Sequence, residues 1–188
     1  MRLTKIALPL ALVLSAAACD RPAQPVEPAK APVAPTARAF SYAATSDLSG
    51  YYLPTREVRV GKWGFSHVFV GQTFEFSAWS GTDAEATFAP VMLQFDDVTS
   101  PMVQTELGEA RSISARVLPT HYTVSDDRIE FEGTSPELGR VRFDGRLDQG
   151  ALATSRRNLG DEGVVLTGTL TAAGQTVRDV RLRWWMGD

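Results

Sequence analysis

Short runs of alternating apolar and polar residues constrain this chain more than any other feature. In the clearest runs a single charged residue separates two apolar ones, as in the pairs Val58 and Val60, Ile129 and Phe131, and Val141 and Phe143. Successive side chains on a β-strand point to opposite faces, so each pair shares one face. These runs predict half-buried strands.

The spacing of the runs predicts the fold class. Glycine and proline interrupt the chain at short intervals after residue 48, and no window of a dozen residues has the periodicity of an amphipathic helix. We expect an all-β domain of about ten short strands, an antiparallel β-barrel or β-sandwich. A barrel is slightly favoured because closure removes free strand edges. Residues 102–110 are the one stretch expected to form a helical turn.

An aromatic hairpin is predicted over residues 63–79, with its turn at Gly71 and Gln72. Six residues at alternate positions of this hairpin are predicted to share the inward-pointing face of their strand: Trp63, Phe65, His67, Phe69, Phe74 and Phe76. Such a set either fills the core or lines a pocket for an apolar ligand. Core filling is the more common role of aromatic residues in this pattern, and both interpretations stay open.

The first 39 residues differ in composition from the rest of the chain. Arg2 and Lys5 precede an uncharged run over residues 6–18, which has the anatomy of an export signal and is shorter than the roughly 20 residues of a membrane-spanning helix. Residues 19–39 contain five prolines and no aromatic residue, which predicts an extended tether. We expect a signal peptide over 1–18, a lipidated N-terminus and linker over 19–39, and one β domain over 40–188.

The export signal ends in Ala16-Ala17-Ala18-Cys19, which resembles the lipobox of bacterial lipoproteins, although Ala16 stands where leucine is usual. The resemblance implies that Cys19 carries lipid and anchors the protein to a membrane of the bacterial cell envelope, inner or outer, facing the periplasm. Cys19 is the only cysteine, so no disulfide can form within the chain. Cleavage after Ala18 to give a soluble protein is the alternative.

Composition argues against several partners and cofactors. The chain has 19 basic and 22 acidic residues, and this mild acidity argues against nucleic-acid binding, which needs a basic patch. Its two histidines, His67 and His121, match no common zinc motif. Asp96 and Asp97 lack the spacing of an EF-hand and are expected to form a turn rather than a calcium site. No metal or cofactor is expected.

No catalytic set is predicted, so we expect a protein that is not an enzyme. Ser66 and His67 are the only neighbouring serine and histidine, and on a regular strand they would point to opposite faces. Asp126 and Asp127 are adjacent carboxylates and are expected in a hairpin turn, where they cannot converge on a substrate.

A stripe near the C-terminus is the candidate contact for a protein partner. Arg181, Arg183 and Trp185 alternate along one predicted strand and face outward together. Arginine and tryptophan are frequent anchors of interfaces, and they also stack against neighbouring strands without a further role.

The residues 166–177 read Leu-Thr-Gly-Thr-Leu-Thr-Ala-Ala-Gly-Gln-Thr-Val. They resemble the closing hairpin of the bacterial lipocalin-like, polyisoprenoid-binding family, which has a similar Gly-x-Leu-Thr-x-x-Gly-x-Thr turn. This resemblance implies a barrel that carries a lipid, and it transfers no binding residue. The sequence as a whole favours a membrane-tethered, non-enzymatic envelope domain that acts through protein contacts or as a structural part. The alternative is a carrier of an apolar ligand.

Overall fold

The computed structural model describes residues 40–81, 86–106 and 108–187. The predictions for the signal peptide, Cys19 and the linker lie outside these residues. The described residues form the following elements: β1 (Phe40–Tyr42), β2 (Gly50–Pro54), β3 (Arg59–Val60), β4 (Trp63–Val70), α1 (Thr73–Ala78), β5 (Val91–Asp97), β6 (Met102–Thr105), β7 (Gly108–Arg111), β8 (Ser114–Val117), β9 (Pro119–Val124), β10 (Arg128–Ser135), β11 (Gly139–Leu147), α2 (Gln149–Arg157), β12 (Val164–Ala172) and β13 (Gln175–Trp185).

Eleven strands form one mixed sheet that curls into a half-barrel, which confirms the predicted all-β class. Its strand order is β1-β9-β10-β11-β12-β13-β2-β4-β5-β8, and β3 pairs with β4. Among the described strands only β1 and β9 pair in parallel. The β6 and β7 strands form a separate antiparallel hairpin, so the helical turn expected over residues 102–110 is wrong.

The curl of the sheet brings distant strands into contact. Phe65 on β4 and Phe143 on β11 have ring centroids 6.4 Å apart, although three strands separate β4 from β11 in the sheet. Phe95 and Phe131 are also fully buried. Tyr52 is buried as well, and its hydroxyl donates to the Leu48 carbonyl at 2.7 Å, which satisfies its polar atom. Aromatic and aliphatic side chains therefore occupy the concave face.

The hairpin predicted over residues 63–79 is wrong in its second half, because Thr73–Ala78 is the helix α1. The Glu75 carboxylate accepts a hydrogen bond from the Gln72 backbone N–H at 2.6 Å, half of the capping-box arrangement that begins many helices. At 3.6 residues per turn, Phe74 and Phe76 point roughly 200° apart. Phe76 is therefore buried, whereas Phe74 is 65% exposed.

The helix α2 was not expected from the sequence. The Asp148 carboxylate accepts a hydrogen bond from the Ala151 N–H at 2.9 Å and caps its first turn. Arg156 and Arg157 lie in the last turn, where positive charge stabilises the helix dipole. Only Leu152 and Ser155 are buried, so the apolar stripe is too short to stand out in the sequence.

Candidate functional site

A row of aromatic rings crosses three neighbouring strands on the outer face of the sheet. Trp185 on β13 is paired with Tyr51 on β2, and Tyr51 is paired with Phe69 on β4. The Tyr51 ring centroid lies 5.5 Å from that of Trp185 and 5.3 Å from that of Phe69. The His67 ring meets Tyr51 edge-on at 5.1 Å. These spacings are those of stabilising aromatic pairs, so the row is a preformed platform.

An extra residue in β4 places His67 and Phe69 in this row. Phe65 pairs with Phe95 and His67 with the next residue, Gln94, so Ser66 is unpaired and forms a β-bulge. Two consecutive residues, Ser66 and His67, therefore share the outer face, and the alternation continues from there. Their side chains are close enough for a hydrogen bond, Ser66 Oγ to His67 Nδ1 at 3.2 Å. The expectation that they point to opposite faces is wrong for this reason.

Trp184, the residue before Trp185, forms one end of the site. It is buried, and its indole N–H donates to the Ser49 carbonyl at 3.0 Å. Gly50 lies directly against the indole ring and has a φ of +136°. A side chain at position 50 would overlap the Trp184 ring, so glycine permits this close approach.

Arg156 of α2 holds this end of the site together. It donates to the Asp47 carboxylate at 2.7 Å and to the Ser49 carbonyl at 2.9 Å, and its guanidinium lies 5.0 Å from the centre of the Trp184 ring. Burial opposes the ionisation of Asp47, but the bonds from Arg156 and Ser49 outweigh it and lower the Asp47 pKa. Arg156 and Asp47 thus neutralise each other.

Together these groups line an open cleft of about 750 Å³, which we call the aromatic cleft. It runs from the aromatic row to the loop before β2 and to the start of α1. Its lining is made by the following residues: Asp47, Ser49, Gly50, Tyr51, Leu53, His67, Phe69, Val70, Gly71, Gln72, Glu75, Arg156, Trp184, Trp185, Met186 and Gly187. Arg156 is the one cation among these lining residues. The combination of ring faces with a few polar groups is typical of binding sites.

The environment of His67 keeps its ring neutral. Burial, with a smaller contribution from the nearby charge of Arg116, lowers the His67 pKa to about 4. At neutral pH the ring therefore offers one N–H donor and one acceptor. Asp96 lies near Ser66 rather than at the other ring nitrogen of His67, and its pKa is raised by burial. A histidine with so low a pKa is a weak general base near neutrality.

The six predicted pocket residues do not form one site. Trp63, Phe65 and Phe76 are buried in the core. His67 and Phe69 line the aromatic cleft, on the opposite face of β4. Phe74 is exposed on α1.

The three residues of the predicted C-terminal stripe alternate with the buried Leu182 and Trp184, and they have different neighbours. Arg181 bonds to Asp179 at 3.1 Å, and Arg183 is half-buried beside Leu53. Trp185 belongs to the aromatic cleft. Asp47 and Arg156 of the cleft were missed, because nothing in the local sequence connects residues 109 positions apart.

The carboxylates that the sequence offered as candidate sites accept hydrogen bonds from nearby residues and stabilise the local structure. Asp97 is buried and accepts from Lys62 at 2.7 Å and from the Thr99 hydroxyl at 2.6 Å, and these bonds hold its pKa at about 2. Asp126 accepts from the backbone of Thr45 and Ser46. The described part of the chain contains no cluster of three His, Cys, Asp or Glu side chains placed to hold a metal ion.

Comparison with known proteins gives no relative: no family model, no curated protein and no solved structure matches this chain. Within the described ranges, no helix has the length and apolar character needed to cross a membrane.

Proposed function

We propose that this protein is a membrane-tethered, non-enzymatic binding domain of the bacterial cell envelope, and that the aromatic cleft is its contact surface. The observation that supports this proposal is the row of Trp185, Tyr51 and Phe69, which stays partly exposed on the outer face of the sheet. Partly exposed aromatic rings grouped in a preformed cleft are a frequent mark of a binding surface.

The neighbouring residues extend the same surface. Phe88 is 40% exposed and packs edge-on against Phe69 at 5.8 Å, and Met186 is 57% exposed at the rim. The core lies on the concave face, so these outer side chains remain available to a partner. A partner that covers them would bury apolar area at about 25 cal/mol per Å².

The alternative function is a carrier that holds an apolar ligand inside the half-barrel. The resemblance of residues 166–177 to a lipocalin-like hairpin favours it, since these residues lie in the β12–β13 hairpin. The packing of the concave face argues against it. Phe65 contacts both Phe95, at 5.3 Å, and Phe143, and these side chains occupy the space that a ligand would need.

The lipid anchor is tested by the Cys19→Ala substitution. Each buried methylene of an acyl chain contributes about 0.8 kcal/mol, so the several chains of a lipoprotein hold it on the membrane. We expect the parent chain to fractionate with membranes and the Cys19→Ala chain to appear in the soluble periplasmic fraction. A Cys19→Ala chain that remains with membranes would contradict the anchor.

The contact surface is tested by co-sedimentation of the soluble Cys19→Ala chain with isolated envelope fragments. We expect the chain to sediment with the fragments, and the added substitutions Tyr51→Ala and Trp185→Ala to remove most of this binding. Phe74→Ala is the matched control, because it removes an exposed aromatic ring outside the cleft. Circular dichroism verifies that each variant is folded. Absent binding, or equal binding by the cleft variant, would refute the proposal.

A further inference from the structure

The chemistry of the aromatic cleft restricts what it can bind. We propose that its ligand is a saccharide chain, held by stacking of sugar rings on Trp185 and Tyr51. This inference rests on the proposed function and names the class of envelope component that the domain contacts. Four observations support it: the ring platform, the free polar atoms around it, the charge of the cleft and the paired state of the strands beneath.

The platform suits the apolar face of a sugar ring. Pyranose rings present C–H groups on their faces and hydroxyl groups at their edges, and the electron-rich face of an aromatic ring attracts such C–H groups. Trp185, Tyr51 and Phe69 are adjacent across three strands, so their spacing is fixed by the sheet. An open cleft of about 750 Å³ accommodates a few linked sugars.

The polar atoms around the platform include both donors and acceptors. The Tyr51 hydroxyl, the Trp185 indole N–H and the second ring nitrogen of His67 form no hydrogen bond with another described residue. Glu75 at the start of α1 adds a carboxylate that lines the cleft. Sugar hydroxyls donate and accept at once, so they match a mixed set of this kind better than a purely apolar ligand does.

The charge of the cleft argues against anionic ligands. Its one lining cation, Arg156, is bonded to Asp47, and Glu75 leaves the site slightly negative. A phosphate or a lipid headgroup would need an uncommitted arginine or lysine. A neutral saccharide meets no such requirement.

The sheet beneath the cleft argues against an extended peptide. Peptides that bind to sheets commonly add a strand to a free edge, where backbone groups are unpaired. The strands under the aromatic row, β13, β2 and β4, are interior strands with a neighbour on each side. A peptide therefore finds no free strand edge beneath the cleft, whereas stacked sugars are held by side chains alone.

Calorimetric titration of the full lipidated chain tests the inference. The chain is kept in a zwitterionic detergent, because glycoside detergents carry sugars that would compete. The probes are soluble hexasaccharides of β-1,4-linked N-acetylglucosamine, α-1,4-linked glucose and β-1,3-linked glucose. We expect at least one probe to bind with a Kd of about 1 mM or tighter. We also expect Trp185→Ala to weaken this binding about tenfold or more.

Two further variants separate stacking from loss of folding. Trp185→Tyr keeps an aromatic face, so its affinity should stay within about threefold of the parent. Phe74→Ala should bind as the parent does. The proposal is overturned when no probe binds up to about 10 mM, or when folded Trp185→Ala binds as tightly as the parent.

Envelope fragments distinguish a failure of this inference from a failure of the proposed function. The same co-sedimentation is repeated with fragments whose proteins and lipids have been removed by protease and hot detergent, leaving the glycan. Retained, cleft-dependent binding supports the saccharide. Cleft-dependent binding to native fragments alone overturns the saccharide and leaves the proposed function standing, whereas loss of binding to both overturns both.

Discussion

One inserted residue, Ser66, decides how β4 presents its side chains. Because of the bulge, Trp63 and Phe65 before it and Val68 and Val70 after it all face the core. Val68 and Val70 lie five and seven residues after Trp63, which are odd separations. A strict alternation would send one of these pairs outward. Bulges concentrate where a side chain must be re-aimed near a functional site, and here the re-aimed side chain is His67.

The pH dependence of stability tests the environment of His67. Its pKa falls from 6.5 to about 4 on folding, so the unfolded chain binds more protons between these values. The contribution is fully present above pH 6.5 and is lost as pH falls toward 4. Urea unfolding of the soluble Cys19→Ala chain should show a loss of about 2 kcal/mol from this group between pH 7 and pH 5, and His67→Gln should remove it. His121→Gln, which removes the other histidine, is the control and should keep the pH dependence of the parent chain. If the parent and His67→Gln showed the same change of unfolding free energy with pH, the assignment to His67 would be disproved.

At the scale of elements, the two helices support the site and the core. The helix α2 supplies Arg156 to the aromatic cleft, 109 residues after its partner Asp47. The helix α1 supplies Glu75 to the cleft and Phe76 to the core. Phe76 stacks on Tyr42 of β1 at 4.0 Å and meets Tyr122 of β9 edge-on at 5.6 Å. The short helix α1 thus packs against the parallel strand pair at the sheet edge.

Phe76→Ala and Phe74→Ala together test this account of α1. Truncation of the buried Phe76 leaves a cavity beside Tyr42, and we expect it to lower the free energy of unfolding by about 3–5 kcal/mol. Phe74→Ala removes the same ring two residues away from an exposed position, so its effect should stay within about 0.5 kcal/mol. Denaturant unfolding measures both. Similar losses for the two variants would indicate the strand predicted from the sequence rather than the helix.

At the scale of the whole molecule, a glycine pair makes room for the centre of the core. Gly145 on β11 and Gly168 on β12 face each other in register, and the ring of Phe143 lies over both. A Cβ atom at position 168 would lie 2.6 Å from the Asp144 carbonyl oxygen and 2.8 Å from the Phe143 ring. The packing of the Phe143 ring against the sheet at this point therefore depends on two residues without side chains.

Gly168→Ala tests this dependence. The added methyl group has no space between the Asp144 backbone and the Phe143 ring, so we expect a loss of about 1–3 kcal/mol in the free energy of unfolding. Gly160→Ala is the matched control, because the nearest atom to a Cβ there is 3.8 Å away. Its effect in the same denaturant experiment should be close to zero. A neutral Gly168→Ala would show that the core accommodates the methyl group without strain.

Local sequence was sufficient for those strands whose alternation is uninterrupted. The β10 and β11 strands and the last part of β13 follow the predicted runs, and Asp126 and Asp127 lie in the predicted turn between β9 and β10. Tyr51 and Tyr52 lie on opposite faces of β2, as adjacent residues of a strand do. For α1 the alternation of phenylalanines was misleading, since the capping by Glu75 and the packing of Phe76 outweigh a pattern of six residues.

The sequence by itself determined that this chain is an all-β domain with aromatic residues concentrated in β4, because period-two alternation is a local property of the backbone. It also singled out Trp185, His67 and Phe69 as candidate site residues. Only the tertiary structure decided that Trp185, Tyr51 and Phe69 form one row, and that Arg156 and Asp47 form an ion pair at its end. Strand register and the curl of the sheet bring these residues together. Both arise from packing between distant segments, which no local pattern encodes.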